Sequence, residues 1–202
     1  IKNKKNYGLG GSHKIIFSYL LENNFTHCLI IPSNYKGSPR EITHSFLDRL
    51  NIQPDLDIIL GKRQFNSKLD FQGKVLSQVG EKIADPLKHI LCDYEFSDLG
   101  SRFLLLKLNL LEEIPFKSLS DGPEFNLQLN VLIGERPNLK ISELHLKNWA
   151  YSKTDTKKLL KYNANMLKTM TKYGVSKYFF KRSGWRLFSD FPDNVDREYE
   201  VL

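Results

Sequence analysis

The chain has 202 residues, 41% of them hydrophobic and 12% aromatic, enough apolar material for one domain with a full core. No apolar run approaches the roughly 18 to 20 residues that span a bilayer, so no membrane-spanning helix is expected. The net charge is +7 and unevenly placed: residues 153–186 hold ten Lys or Arg against Asp155, a local +9, whereas residues 187–202 carry −4. Such a basic segment can attract anionic lipid, a phosphorylated substrate or nucleic acid, and a solvated helix face has the same composition. Cys28 and Cys92 are too few for a disulfide scaffold and read as buried thiols in a reducing, cytoplasmic setting, without a metal role.

In chain order, Asn6-Tyr7-Gly8-Leu9-Gly10-Gly11-Ser12 reads as a glycine-rich loop, with Ser12 capping a helix to about Asn23. Ile15, Ile16, Tyr19 and Leu20 form its expected apolar face. Glycines there can bring backbone N–H groups to a phosphate at the helix N-terminus, or can simply form a turn; the spacing matches neither the P-loop nor the dinucleotide fingerprint. His27 to Ile31 is a continuous apolar run bounded by Pro32, the pattern of a strand covered on both faces. Ser38-Pro39-Arg40-Glu41 predicts a helix start, and Ile42, Phe46, Leu47 and Leu50 its buried stripe, with His44 facing solvent. Asp57 to Arg63 is a second buried strand.

A basic loop and a long amphipathic segment from about Leu69 to Cys92 follow, kinked at Pro86. Asp98 to Arg102 reads as a turn, Phe103 to Lys107 as a strand, and Leu108 to Ile114 as a short helix. A helix is expected from Asp121 to about Glu135, a strand over Lys140 to Trp149, and a Lys-rich helix from Asp155 to about Tyr173 striped by Leu159, Leu160, Met166, Leu167 and Met170. Helices alternating with strands predict an α/β protein with a mainly parallel sheet. Ligands of such sheets sit beyond the carboxyl ends of the strands, so Ser33 to Lys36 is the first place to look for chemistry.

In this order the segments resemble the family 2 glycosyltransferases, in particular dolichyl- and polyprenyl-phosphate sugar transferases. The resemblance rests on Asn6 to Gly11 before an apolar helix and on Asp57 to Arg63, similar to the family's Gly-Ser-Arg strand end. It rests also on Asp98-Leu99-Gly100-Ser101, similar to its Asp-x-x-Ser-Gly turn, and on Trp149-Ala150-Tyr151-Ser152-Lys153 after its last core strand. It covers residues 1–155, and residues 156–202 form a C-terminal basic helix and acidic tail. It implies a GT-A fold, a nucleotide-sugar donor, hexosyl transfer and a place in polysaccharide biosynthesis. The strands that bind the nucleotide in the family find no room before Ile1, so the domain is expected to be N-terminally incomplete.

The resemblance further implies Mg²⁺ or Mn²⁺ on an Asp-x-Asp motif. The equivalent positions here are Pro32, Asn34 and Lys36, none a carboxylate, so no cofactor is assigned. Lys36 then stands in as a fixed cation on the donor diphosphate, with Arg63 and the glycines Gly10 and Gly11 beside it. Asp121 and Glu124 are the candidate bases for an acceptor hydroxyl, although acids in a first helical turn are ordinary dipole partners; Asp98 is a third candidate. A lipid-phosphate acceptor would need no base. Residues 153–186, with Tyr162, Tyr173, Tyr178, Phe179, Phe180 and Trp185 interleaved, would then contact a membrane surface peripherally. The alternative is a catalytically degenerate interaction module of the same fold. No nucleic-acid motif is present.

Overall fold

The computed structural model describes residues 1–33, 35, 37–65, 101–136, 138–149, 156–179 and 199–201. The elements are β1 (Lys2–Asn3), α1 (Gly8–Glu22), β2 (His27–Ile30), α2 (Pro39–Ile52), β3 (Ile58–Phe65) and β4 (Leu104–Lys107). Then follow α3 (Leu110–Glu113), a 3₁₀ turn (Phe116–Ser118), α4 (Phe125–Gly134), β5 (Ile141–Trp149), α5 (Thr156–Phe179) and β6 (Tyr199–Glu200).

Four strands form the main sheet in the order β2-β4-β3-β5. β3 and β5 run parallel, while β4 is antiparallel to both β2 and β3, so β2, β3 and β5 share one direction. The mainly parallel sheet is therefore present with one reversed strand inside it. Ile30, Leu104 and Leu60 stand in one row across three strands, and Glu143 of β5 continues it.

Side chains alternate across the sheet and divide the core in two. Ile58, Leu60, Leu104 and Leu106 face a cluster with Phe17 of α1, Phe125 and Leu129 of α4, and Met170 and Tyr173 of α5. Ile59, Phe103, Leu105 and Leu146 face the other cluster, with Ile42 and Phe46 of α2. The protein is thus layered helix, sheet, helix. Met170 and Tyr173 place α5 in the main core, so Tyr173 is not available to a membrane surface.

Three local expectations are corrected. The glycine segment is not a loop: α1 begins at Gly8, and Ser12 lies inside it, its hydroxyl donating to the Gly8 carbonyl oxygen at 2.8 Å. The buried face of α1 is Gly10, Gly11, His13, Lys14, Ile15 and Phe17, while Ile16 is exposed. Phe17 is fully buried, edge-on to Phe116 at 5.7 Å, and outweighs the aliphatic pattern. On α2 Ile42 and Phe46 are buried and Leu50 packs partly buried against the same cluster, while Leu47 is exposed, as Leu167 is on α5. The helix start at Ser38 holds: its side chain accepts from the Glu41 amide and Pro39 opens the helix. His44 is exposed and Cys28 is buried as expected. The segment Leu69 to Cys92, the turn residues Asp98 to Gly100, and Ala150 to Lys153 lie outside the described residues. Among the described residues no helix is long and apolar enough to cross a membrane.

Candidate functional site

The direction of the strands decides where side chains can converge. α1 leads into β2, so its N-terminus lies at the carboxyl edge of the sheet. The loop after β2, the start of α2, the end of β3 and the approach to β4 lie there too, because β4 runs the other way. Gly8 to Gly11, the described loop residues Pro32, Ser33, Tyr35, Gly37 and Ser38, Lys62 to Phe65 and Ser101 to Phe103 therefore share one edge.

Asp121 joins them through α1. Its backbone oxygen accepts from the amides of Gly10 at 2.8 Å and Gly11 at 3.4 Å. A Cβ on Gly10 would press on the Ser120 carbonyl oxygen and lie 2.8 Å from the Phe125 Cβ, and one on Gly8, at φ +78°, would meet the Asp121 carbonyl oxygen. The glycines thus let the 120–121 backbone cap the helix. This corrects the expectation that the Gly10 and Gly11 amides face a donor diphosphate, because a carbonyl oxygen already accepts from both.

The Asp121 side chain is held as well. Lys14, only 3% exposed, donates to Asp121 Oδ1 at 2.8 Å and to the Leu119 carbonyl oxygen, so the buried ammonium is paired and hydrogen-bonded. Sequence reasoning missed Lys14; the available signal was Gly10, Lys14 and Phe17 falling on one helical face. Glu124 precedes α4, where its carboxylate accepts from Asn165 of α5 and from the Ser120 hydroxyl at 3.4 Å. Ser120 donates its amide to Gln128 Oε1 at 2.7 Å, and Gly122 donates to Ser120 Oγ at 3.0 Å. Asp121 and Glu124 therefore sit in a tight turn before the helix, not in its first turn as expected.

At the other side of the edge, the Ser101 hydroxyl donates to the Gly61 carbonyl oxygen while accepting from the Phe103 amide at 3.2 Å. Gly61 has no room for a side chain between Phe103 and Leu146. This brace fixes the end of β3, which carries Lys62, half-buried, and Arg63, whose backbone pairs with Leu146. In the loop after β2, Pro32 is half-buried and its carbonyl oxygen accepts from the Tyr35 amide at 3.0 Å; the Tyr35 ring stands edge-on to Phe103 at 5.3 Å. Burial, with Glu41 nearby, raises the pKa of Tyr35. Asn34 and Lys36 lie outside the described residues.

His13 was also missed. It is buried between Phe17 and Phe125, its Nδ1 has no hydrogen-bond partner, and burial with the nearby Arg102 lowers its pKa to about 4. It is a neutral ring at pH 7.

The opposite edge carries a separate charge cluster. Asp57 accepts from Lys107 Nζ at 2.9 Å and from the Lys140 amide at 3.0 Å, and Lys140 pairs with Asp55. Burial works against the Asp57 carboxylate, but these hydrogen bonds outweigh it and its pKa is lowered. His27, at the start of β2, is lowered by burial and by Lys107. This edge fastens the strand starts and is remote from the glycine helix.

The α/β layering, the one reversed strand and the glycine-capped helix at the carboxyl edge define a GT-A-like fold. No family model and no curated protein sequence matches the chain. Solved structures of glucosyl-3-phosphoglycerate synthase from Mycobacterium tuberculosis do match in three dimensions. The form with Mg²⁺ and UDP superposes at TM-score 0.59 and 14% identity, covering 84% of this chain and 54% of that one. The form with Mn²⁺, UDP-glucose and phosphoglyceric acid gives 0.56 and 15%, covering 93% and 56%. The form with Mn²⁺, UDP and glucosyl-3-phosphoglycerate gives 0.56 and 14%, covering 96% and 62%. This chain thus spans little more than half the length of those proteins.

Among the described residues this edge offers no ligand set for the divalent cation present in those structures. Mg²⁺ and Mn²⁺ take hard oxygen donors, chiefly carboxylates. From Asn23 through Arg40 the sequence has no Asp or Glu. The Cys28 thiol is pushed up by burial to about 11 and stays protonated. Asp121 and Glu124 are engaged by Lys14 and Asn165. Among the described residues no group of three or more His, Cys, Asp or Glu converges on one point.

Proposed function

We propose that the chain belongs to a glycosyltransferase of the family 2 type, related to the polyprenyl-phosphate sugar transferases. It would move a hexosyl group from a nucleoside-diphosphate sugar to a glycan hydroxyl or a lipid phosphate. The observation that carries this reading is the convergence, in a GT-A-like fold, of the α1 start, the β3 end and the 120–124 turn on one edge of the sheet. In the reaction the acceptor oxygen attacks the anomeric carbon as the bond to the diphosphate oxygen breaks, and the electron pair leaves with the diphosphate. A hydroxyl acceptor must also lose a proton, and Asp121 or Glu124 would accept it. Lys36 and Arg63 would hold the diphosphate. An ionised lipid phosphate needs no base, and α5 supports such an acceptor. Its exposed Leu167 and Val175 stand among Lys168 and Lys172, the composition of a helix resting on an anionic surface. Calorimetry of the protein with UDP- and GDP-sugars tests the reading. Saturable binding of one of them is expected, and heat of dilution alone for all of them would overturn it.

A further inference from the structure

Resting on that nucleotide-sugar reading, we infer that Lys14 is a positioning residue: it holds the Asp121 carboxylate at the carboxyl edge of the sheet, as the base that takes the proton of a hydroxyl acceptor. Lys14 lies one turn after Gly10 on the buried face of α1, and the side chains of a helix lean toward its N-terminus. The ammonium therefore reaches back to the start of α1, where it donates to Asp121 Oδ1 at 2.8 Å and to the Leu119 carbonyl oxygen. The pair is one-sided. Lys14 is 3% exposed and the Asp121 side chain 44%, so the cation is enclosed while the anion it holds stays open to solvent.

Asp121 is fixed at two points on the same helix. Its carbonyl oxygen accepts from the Gly10 and Gly11 amides, and Lys14 holds its side chain. A base acts only within hydrogen-bond reach of the proton it takes, and a carboxylate already held in place needs no rearrangement to do so. Glu124 is placed differently. Its Oε1 accepts from Asn165 of α5 and its Oε2 from the Ser120 hydroxyl, which in turn accepts from the Gly122 amide, so this carboxylate fastens the turn to itself and to α5. Burying an ammonium is costly, and an apolar side chain of similar length generally fills such a place as well. What the lysine adds here is a carboxylate of fixed position. In the transfer, the acceptor oxygen bonds to the anomeric carbon and the bond from that carbon to the diphosphate oxygen breaks. The electron pair leaves with the diphosphate, and the acceptor proton passes to Asp121.

The test uses the whole chain and the UDP- or GDP-sugar that it binds in calorimetry, with water as the acceptor. Release of nucleoside diphosphate is followed for the parent, Lys14→Met, Asp121→Asn and the double variant, giving kcat and KM for each. Asp121→Asn should lower kcat about a hundredfold. Lys14→Met should lower kcat about tenfold or more, while KM and the calorimetric Kd stay within about threefold of the parent. In the double variant the lysine change should lower kcat no further, because its effect passes through Asp121. Lys14→Gln, which keeps a donor for the Leu119 carbonyl, replaces Lys14→Met in the cycle if circular dichroism shows the methionine variant unfolded. Unchanged kcat in the lysine variant, or losses that multiply in the double variant, would overturn the inference. So would a parent that binds the sugar nucleotide without hydrolysing it; in each of these cases the nucleotide-sugar reading stands. Absence of binding by every UDP- and GDP-sugar would overturn both.

Discussion

Replacing Gly10 by Ala separates the packing role of the glycine segment from a ligand role. The added methyl would be driven into the Ser120 carbonyl oxygen, with the Phe125 Cβ at 2.8 Å and the Asp121 carbonyl carbon at 3.0 Å. Two of these neighbours are backbone and the third is a Cβ, so none can swing aside as a flexible side-chain end could. Overpacking of this kind costs about 1 to 3 kcal/mol. Displacing the 120–121 backbone also weakens the two amide bonds from Gly10 and Gly11, at about 1 kcal/mol each. Better helix propensity of Ala returns about 1 kcal/mol. The net expectation is a loss of about 2 to 4 kcal/mol, read by urea unfolding followed through circular dichroism. In thermal terms that is a fall in Tm of about 5 to 15 °C for a chain of this size. A variant as stable as the parent that has lost only UDP binding would refute the packing account and return the glycine amides to the ligand.

His13→Leu should flatten the acid side of the stability profile. The folded ring has its pKa near 4 against 6.5 when unfolded, so the unfolded chain takes up the proton first. The penalty is absent above about pH 6.5, grows as the pH falls, and levels off near pH 4 at about 3 kcal/mol. An unchanged slope in the leucine variant would show that His13 does not titrate in this way. At the opposite edge, Asp57→Ala removes the acceptor for Lys107 and for the Lys140 amide and should lower stability by about 1 to 3 kcal/mol in urea unfolding, without changing UDP binding. The Asp57 contribution is present above the usual carboxylate pKa and is lost as pH falls through its lowered folded value. For the lipid reading, Lys168→Glu with Lys172→Glu should reduce cosedimentation with phosphatidylserine vesicles about tenfold at low salt. Equal sedimentation of variant and parent would remove α5 from any membrane contact.

Much of the fold was legible because its elements are marked by local chemistry. Ser38-Pro39 announces α2, and continuous runs such as Ile58 to Leu60 announce strands buried on both faces. The direction of β4 was not legible. Leu104, Leu105 and Leu106 are buried on both sides of the sheet, and such a run reads identically in either direction. The start of α1 was misplaced because glycines ordinarily break helices; here Gly8 and Gly10 are required by the close approach of Ser120 and Asp121, more than one hundred residues away in sequence. The same long-range contact hid Lys14. A lysine within an apolar helix reads as solvent-facing until its partners, Leu119 and Asp121, are seen. Of the candidate site, the pairing of Gly10 and Gly11 with Asp121 could not be foreseen from spacing, whereas the absence of carboxylates after β2 is a property of the sequence alone.

The most direct test of a nucleotide-sugar site at the carboxyl edge is the amide chemical-shift response of the isotope-labelled protein to UDP. Perturbation concentrated on Gly8 to Gly11, Ser33 to Ser38, Lys62 to Phe65, Ser101 to Phe103 and Asp121 is the expected result. Perturbation confined to the charged edge of Asp55, Asp57, Lys107 and Lys140, or none at saturating UDP, would contradict it.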